Sequence, residues 1–165
     1  MKKHLLILLV VLCLITCFAS CQKKKTTTEE QDYFFSYQSV KVKIDDDAAP
    51  LLKALGEPTE KTESPSCYFG DINDTLYTYP GMEVVTYSKG GVEHLLRLEI
   101  VDDSVDRKTP EGIGVGSSRQ AVVKAYGEPD STSSAGAAIY RGKTMTLNFF
   151  YSGDTVSRIA YRNNA

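Results

Sequence analysis

The feature that most constrains this fold is an octapeptide that occurs twice. Leu51-Leu52-Lys53-Ala54-Leu55-Gly56-Glu57-Pro58 returns as Val122-Val123-Lys124-Ala125-Tyr126-Gly127-Glu128-Pro129. Each copy sets apolar residues at i, i+1 and i+4, which is one face of a short helix. A glycine closes each copy where a left-handed residue ends a helix, and a proline two positions on prevents continuation. Side-chain oxygens suited to the N-cap stand ahead of both: Asp47 before the first, Ser117 or Ser118 before the second. Pro50 falls in a first turn, where its missing N–H costs little.

The parallel continues downstream. Tyr79-Pro80-Gly81 answers Tyr140-Arg141-Gly142, and Met82 to Tyr87 answers Lys143 to Tyr151. In the second of these runs Met145, Leu147, Phe149 and Tyr151 alternate with Thr146, Asn148 and Phe150, the period of a strand with one face on a core. Gly90-Gly91 and Ser152-Gly153-Asp154 read as turns, with return strands over His94 to Val101 and Val156 to Tyr161. Asp102 to Thr109 links the copies, and the surplus length of the first falls in Cys67 to Leu76. The expectation is an α+β fold: two tandem helix-plus-antiparallel-sheet repeats, residues 40–108 and 109–165, forming one curved domain. Leu51, Leu52, Leu55, Val122, Val123 and Tyr126 are its expected buried helix positions.

The segment Gly114 to Pro129, with its leading glycine, hydroxyl cap, branched mid-helix residues and closing Gly-x-Pro, resembles a motif of the SmpA/OmlA outer-membrane-assembly lipoproteins. It is similar also to the β-lactamase inhibitor protein, which is two tandem copies of such a unit. Over Val40 to Tyr161 the resemblance implies that fold and a tendency to bind other proteins with a curved sheet. It carries no binding residue over.

The N-terminus sets the expected address. Lys2 and Lys3 precede an apolar run from Leu5 to Ile15, then Phe18-Ala19-Ser20-Cys21. A basic start, a short apolar core and small residues at the cut describe a secretory signal, here residues 1–20. The apolar run is shorter than the roughly 18–20 residues a spanning helix needs. Cysteine at the cut resembles the lipobox of bacterial lipoproteins, in which that residue is acylated and becomes the mature N-terminus. Cys17 competes, but Thr16 is a poor residue before a cut. The expected location is therefore the bacterial cell membrane, lipid-anchored through Cys21 on its extracytoplasmic face. Residues 21–39 then form the acylated cysteine and a tether. Lys23 to Lys25 sit beside the anionic headgroups. Tyr33, Phe34, Phe35 and Tyr37 either dock on the domain or form an exposed patch.

Chemistry is sparse. Lys and Arg number 19 against 21 Asp and Glu, with no basic stripe, so nucleic acid is not an expected partner. Once the signal is cut and Cys21 acylated, Cys67 stands alone, and its expected place is a strand, as a small semi-buried apolar residue. His94 is the one histidine outside the signal, and a hydrolase needs a base held between nucleophile and orienting acid. Its expected role is structural or exposed, and one His with one Cys does not make a zinc site. Asp45-Asp46-Asp47 complements a helix start. Asp71 to Thr75 and Asp102 to Asp106 have calcium-loop spacing without the glycine at six or the glutamate at twelve. Gly112 to Gly116 reads as a cap and turn, not a phosphate loop. No metal or cofactor is expected.

Tyrosine remains: ten in the chain, with no tryptophan. Tyr77, Tyr79, Tyr87, Tyr140 and Tyr151 form the candidate binding face, because tyrosine joins contact area to a polar tip at low entropy cost. The alternative is that they fill core and strand-pair positions. The functional expectation is a non-enzymatic protein-binding module that acts through its sheet face on an envelope or secreted protein. The alternative is a cell-envelope hydrolase or an inhibitor of a secreted enzyme. Mass spectrometry of the mature N-terminal peptide is expected to find a diacylglyceryl thioether on Cys21, and Cys21→Ser to release the chain from the membrane fraction.

Overall fold

The computed structural model describes residues 32–164; Cys21 and the signal segment lie outside the described residues. Strand dominates. The elements are β1 (Phe35–Tyr37), β2 (Val40–Val42), α1 (Ala49–Leu55), β3 (Glu60–Pro65), β4 (Asn73–Tyr79), β5 (Met82–Lys89), β6 (Val92–Ile100), α2 (Arg119–Tyr126), β7 (Ser131–Thr132), β8 (Ala138–Arg141), β9 (Met145–Ser152) and β10 (Thr155–Asn163). β1 and β2 pair with each other, and the other eight strands form one antiparallel sheet in the order β3-β4-β5-β6-β10-β9-β8-β7.

This corrects the expected α+β class of two tandem helix-plus-sheet repeats. Among the described residues the protein is mostly β, the two helices are only seven and eight residues long, and the strands of both halves belong to one sheet. Two physical reasons account for the difference. All six residues of β3 are exposed, so this strand carries no apolar alternation to betray it. In addition, separate units would leave β6 and β10 as bare edges with unpaired N–H and C=O groups, and pairing them removes that cost. The true outer edge, β3, carries Glu60, Lys61, Glu63 and Pro65, residues that discourage further strand addition. The opposite edge, β7, is only two residues long.

Both helices end on glycine, Gly56 and Gly127, each at φ 81°. Their N–H groups donate to Leu52 O (3.0 Å) and Val123 O (2.8 Å), satisfying late helix carbonyls. Of the two serines, Ser118 is the N-cap of α2, where its Oγ accepts from the Ala121 N–H at 3.1 Å. Asp47 does not occupy that position in α1. Ala48 does, and Asp47 Oδ1 instead accepts from the Ala49 N–H at 2.9 Å. Leu51, Val122 and Tyr126 are buried, whereas Leu52, Leu55 and Val123 are only partly so.

One sheet face carries the core. Register aligns Tyr77, Val84, Leu98, Tyr161, Leu147 and Tyr140 in one row across six strands. A second row holds Tyr79, Met82, Ile100, Ile159, Phe149 and Ala138. All twelve are buried in a single cluster with Leu51, Val122 and Tyr126, so both helices cover this face. Each large side chain removed from water contributes about 1.5–3 kcal/mol before entropy is counted. The N-terminal arm closes the same face: Tyr33 and Phe35 are buried, with rings 6.1 Å from Tyr126 and 5.9 Å from Tyr161. Docking is thus the outcome for these two aromatics. Phe34 lies under Lys41 and Tyr37 under Arg107, each cation 4.8 Å from the ring centroid. Asp32 pins the arm, accepting from Lys43 Nζ and Thr144 Oγ1 at 2.9 Å each. Burial opposes its ionisation, but those hydrogen bonds outweigh it and hold the carboxyl below its usual value.

Tyr140 and Tyr161, the two most deeply buried phenols, differ in one testable respect. Tyr140 Oη donates to Gly127 O at 2.9 Å, whereas Tyr161 Oη has no partner among the described residues. Tyr140→Phe is expected to cost about 1 kcal/mol, and Tyr161→Phe to be neutral or stabilising, because its loss frees the fold of an unsatisfied polar group. Urea denaturation with unchanged m-values checks both.

Candidate functional site: the uncovered sheet face

Alternation sends every second strand residue to the face that the helices leave bare. One row on that face runs Thr62, Leu76, Val85, Arg97, Arg162, Thr146 and Arg141. The next runs Glu60, Thr78, Glu83, Glu99, Ala160, Asn148 and Ile139. A bulge in β6 at Leu96 turns that residue to the bare side, where Val85, Tyr87 and Leu96 form a small buried cluster packed by Ile72 and Leu76.

The centre of the face is ionic. Arg97 and Arg162 stand directly opposite each other in register, a placement that repels unless an anion intervenes. Glu99 supplies it: Arg162 Nη2 lies 2.6 Å from Oε1, Arg97 Nε 3.7 Å from Oε1, and Arg158 Nη1 3.5 Å from Oε2. The Glu99 side chain is 4 % exposed, while the three arginines are 40, 41 and 39 % exposed. Across the seam Glu99 meets Ala160, whose short side chain leaves room for the guanidiniums to fold over. Phe150 supports them from below, with Arg158 at 4.0 Å and Arg162 at 5.5 Å from its ring centroid. Thr146 and Asn148 are buried beside them, and Asn148 Nδ2 donates to Thr146 Oγ1 at 3.0 Å.

A loop rises over this face between β3 and β4. The Ser66 N–H donates to Ile72 O at 2.9 Å, and Ser66 Oγ accepts from the N–H groups of Tyr68 and Phe69 at 3.1 Å each. The loop presents Tyr68, 63 % exposed, and Phe69, 36 % exposed. These are two of the three exposed large apolar side chains among the described residues. Tyr68 walls three cavities, two of which, of about 240 and 340 Å³, also share Arg162 and Asn163. Cys67 sits in this loop, exposed, and not in a strand as expected. Loop length and exposure override its apolar character.

The five tyrosines do not make one accessible face. Tyr77, Tyr79 and Tyr140 lie on the helix-covered side, each at most 8 % exposed. Tyr77 Oη donates to Glu93 Oε1 at 2.6 Å and its ring lies under Lys61; burial, then Glu93, pushes its pKa up. Burial also raises Tyr79 and Tyr140, whose hydroxyls reach Gly56 O (3.4 Å) and Gly127 O (2.9 Å). They brace helix ends. Tyr151 is half-buried against the core with the Arg119 guanidinium 3.7 Å above its ring; burial raises its pKa and Arg119 opposes the rise. Tyr87 alone faces the uncovered side, stacked on His94 at 5.3 Å and against Phe69 at 4.6 Å. Burial, then Asp45, raises it. His94 Nδ1 is held by Asp45 O at 2.8 Å.

Sequence reasoning passed over Arg97, Glu99, Phe150, Arg158, Arg162 and Tyr68. Spacing did carry a signal: Arg158 and Arg162 sit four apart in a strand, as Arg97 and Glu99 sit two apart, hence on one face.

No protein-family model matches this chain, and no curated protein or solved structure is significantly similar to it. Its fold and site define a mostly-β protein whose large sheet is covered on one face and, on the other, bears a charged, aromatic-rimmed surface.

Removing the central anion is expected to be costly. Glu99→Gln leaves three facing arginines unneutralised, for a loss of about 2 kcal/mol once their partial exposure is allowed for. The loss should grow as salt is lowered, and urea titrations at low and high salt measure it.

Proposed function

We propose that this chain is a lipid-anchored extracytoplasmic lipoprotein that binds a protein partner, without catalysis, through the uncovered face of its sheet. The observation that carries this reading is the asymmetry of the two faces. Helices and the N-terminal arm bury one side, while the other side sets Tyr68 beside Arg97 and Arg162 of the cluster around Glu99, with Phe69 of the same loop against Tyr87. Exposed aromatics next to arginine are the composition of interaction hot spots. The signal at Phe18 to Cys21 and the polar tether support presentation of this face away from a membrane. Binding needs no general base, which suits a His94 whose Nδ1 is held by a backbone carbonyl and whose ring stacks on Tyr87.

The test is photo-crosslinking in the native envelope, with a benzoylphenylalanine placed at Tyr68 or Thr62 on the uncovered face and at Lys53 or Lys124 on the helices. Discrete, saturable adducts with one protein are expected from Tyr68 and Thr62 and not from the helix positions. Adducts from the helices alone, or none from either face, would overturn the reading.

A further inference from the structure

Resting on that protein-binding reading, we infer that the uncovered face recognises an extended, acidic segment of its partner, seating an Asp or Glu side chain between Arg141 and Arg162. The cavity of about 340 Å³ under Tyr68 has these two arginines among its walls, and among the described residues no carboxylate lines it. Arg141, Thr146 and Arg162 are consecutive members of one cross-strand row. Their backbones therefore span two strand spacings, about 10 Å, within reach of both long side chains for a carboxylate seated between them, while Arg162 Nη2 keeps its contact with Glu99 at 2.6 Å. Thr146 offers a donor on the floor, because its oxygen already accepts from Asn148 and its hydroxyl proton remains to be given. Arg162 Nε is buried with no hydrogen-bond partner among the described residues. Glu99 carries one negative charge against the three positive charges of Arg97, Arg158 and Arg162, and Arg141 adds a fourth beside Asp130, whose Oδ2 accepts from the Arg141 N–H at 2.7 Å. The charge that complements this half of the face is negative.

The adjoining cavity of about 240 Å³ has different chemistry. Leu76, Val85 and Leu96 line it together with Arg97, which already faces Glu99, and it meets the first at Tyr68, Arg162 and Asn163. Asp74 on its far wall disfavours a second acid there. An apolar side chain suits it. In an extended segment residues i and i+2 fall on one side about 7 Å apart, so two cavities that share the walls Tyr68, Arg162 and Asn163 can take an acid and an apolar residue at those positions. The inferred ligand pattern is an acidic and a large apolar residue separated by one position.

The test selects a random seven-residue peptide library, displayed through its C-terminus so that no free terminal carboxylate is present, on the full chain in detergent. Enriched peptides are expected to carry Asp or Glu two positions from Leu, Ile or Phe. Replacing that acid by its amide, or raising salt well above physiological strength, should weaken binding about tenfold. Arg162→Gln should do the same, but it also loosens Glu99. Arg141→Gln, at an exposed residue, is therefore the second variant, with an unchanged melting temperature as control. Enrichment of neutral or basic peptides, no enrichment at all, or binding indifferent to Arg141→Gln overturns the inference. If Tyr68 and Thr62 still crosslink a protein, the broader reading survives that failure; if they do not, both fall. Retention of the Cys21→Ser chain on phosphatidylglycerol vesicles that Arg141→Gln abolishes would assign the arginines to lipid. Self-association abolished by the same variant would assign them to a second copy. Either result overturns the inference.

Discussion

Along the seam between β6 and β10, four residue pairs set Ile100 against Ile159, Glu99 against Ala160, Leu98 against Tyr161 and Arg97 against Arg162. This pairing does two things at once. On the covered face it makes two apolar rows continuous across the molecule, so residues from both halves enter one core. On the uncovered face it brings arginines from distant parts of the chain around one glutamate. Because strand side chains alternate, neither result is available without the other: a one-residue slip would carry Leu98 and Tyr161 to solvent and the charges into the core.

The ionic cluster is an arrangement of compromise. Three partly exposed arginines around a nearly buried carboxylate keep their charges solvated at the outer ends while Glu99 loses its water. Such a network is weak as a source of stability, since desolvation offsets much of the attraction. Its consequence is positional. Glu99 and the Phe150 ring hold guanidiniums in place, which lowers the side-chain entropy that any contact made by them would cost. Stability comes from the opposite face, where tyrosines brace the helix-ending carbonyls of Gly56 and Gly127.

The tyrosines show how composition misleads. Ten of them in a chain without tryptophan invite a binding surface, yet Tyr77, Tyr79 and Tyr140 point inward because their strand positions share parity with Val84, Leu98 and Leu147. Parity within β4 and β8 was visible in the sequence. The side on which the helices pack was not, and that choice decides which parity is core.

What the sequence alone determined was local. Gly56 and Gly127 mark helix ends because glycine takes a positive φ without a Cβ penalty, Ser118 marks a helix start, and alternation marks β5, β9 and β10. It also placed Arg158 with Arg162, and Arg97 with Glu99, on common strand faces. Tertiary structure decided the rest. The polar edge strand β3 is a strand only because β4 offers it a hydrogen-bonding partner. The class changed from two helix-covered units to one eight-stranded sheet because β6 and β10 satisfy each other's backbone. The candidate site likewise exists only through register, since cross-strand neighbours sixty residues apart carry no mark of one another in the chain.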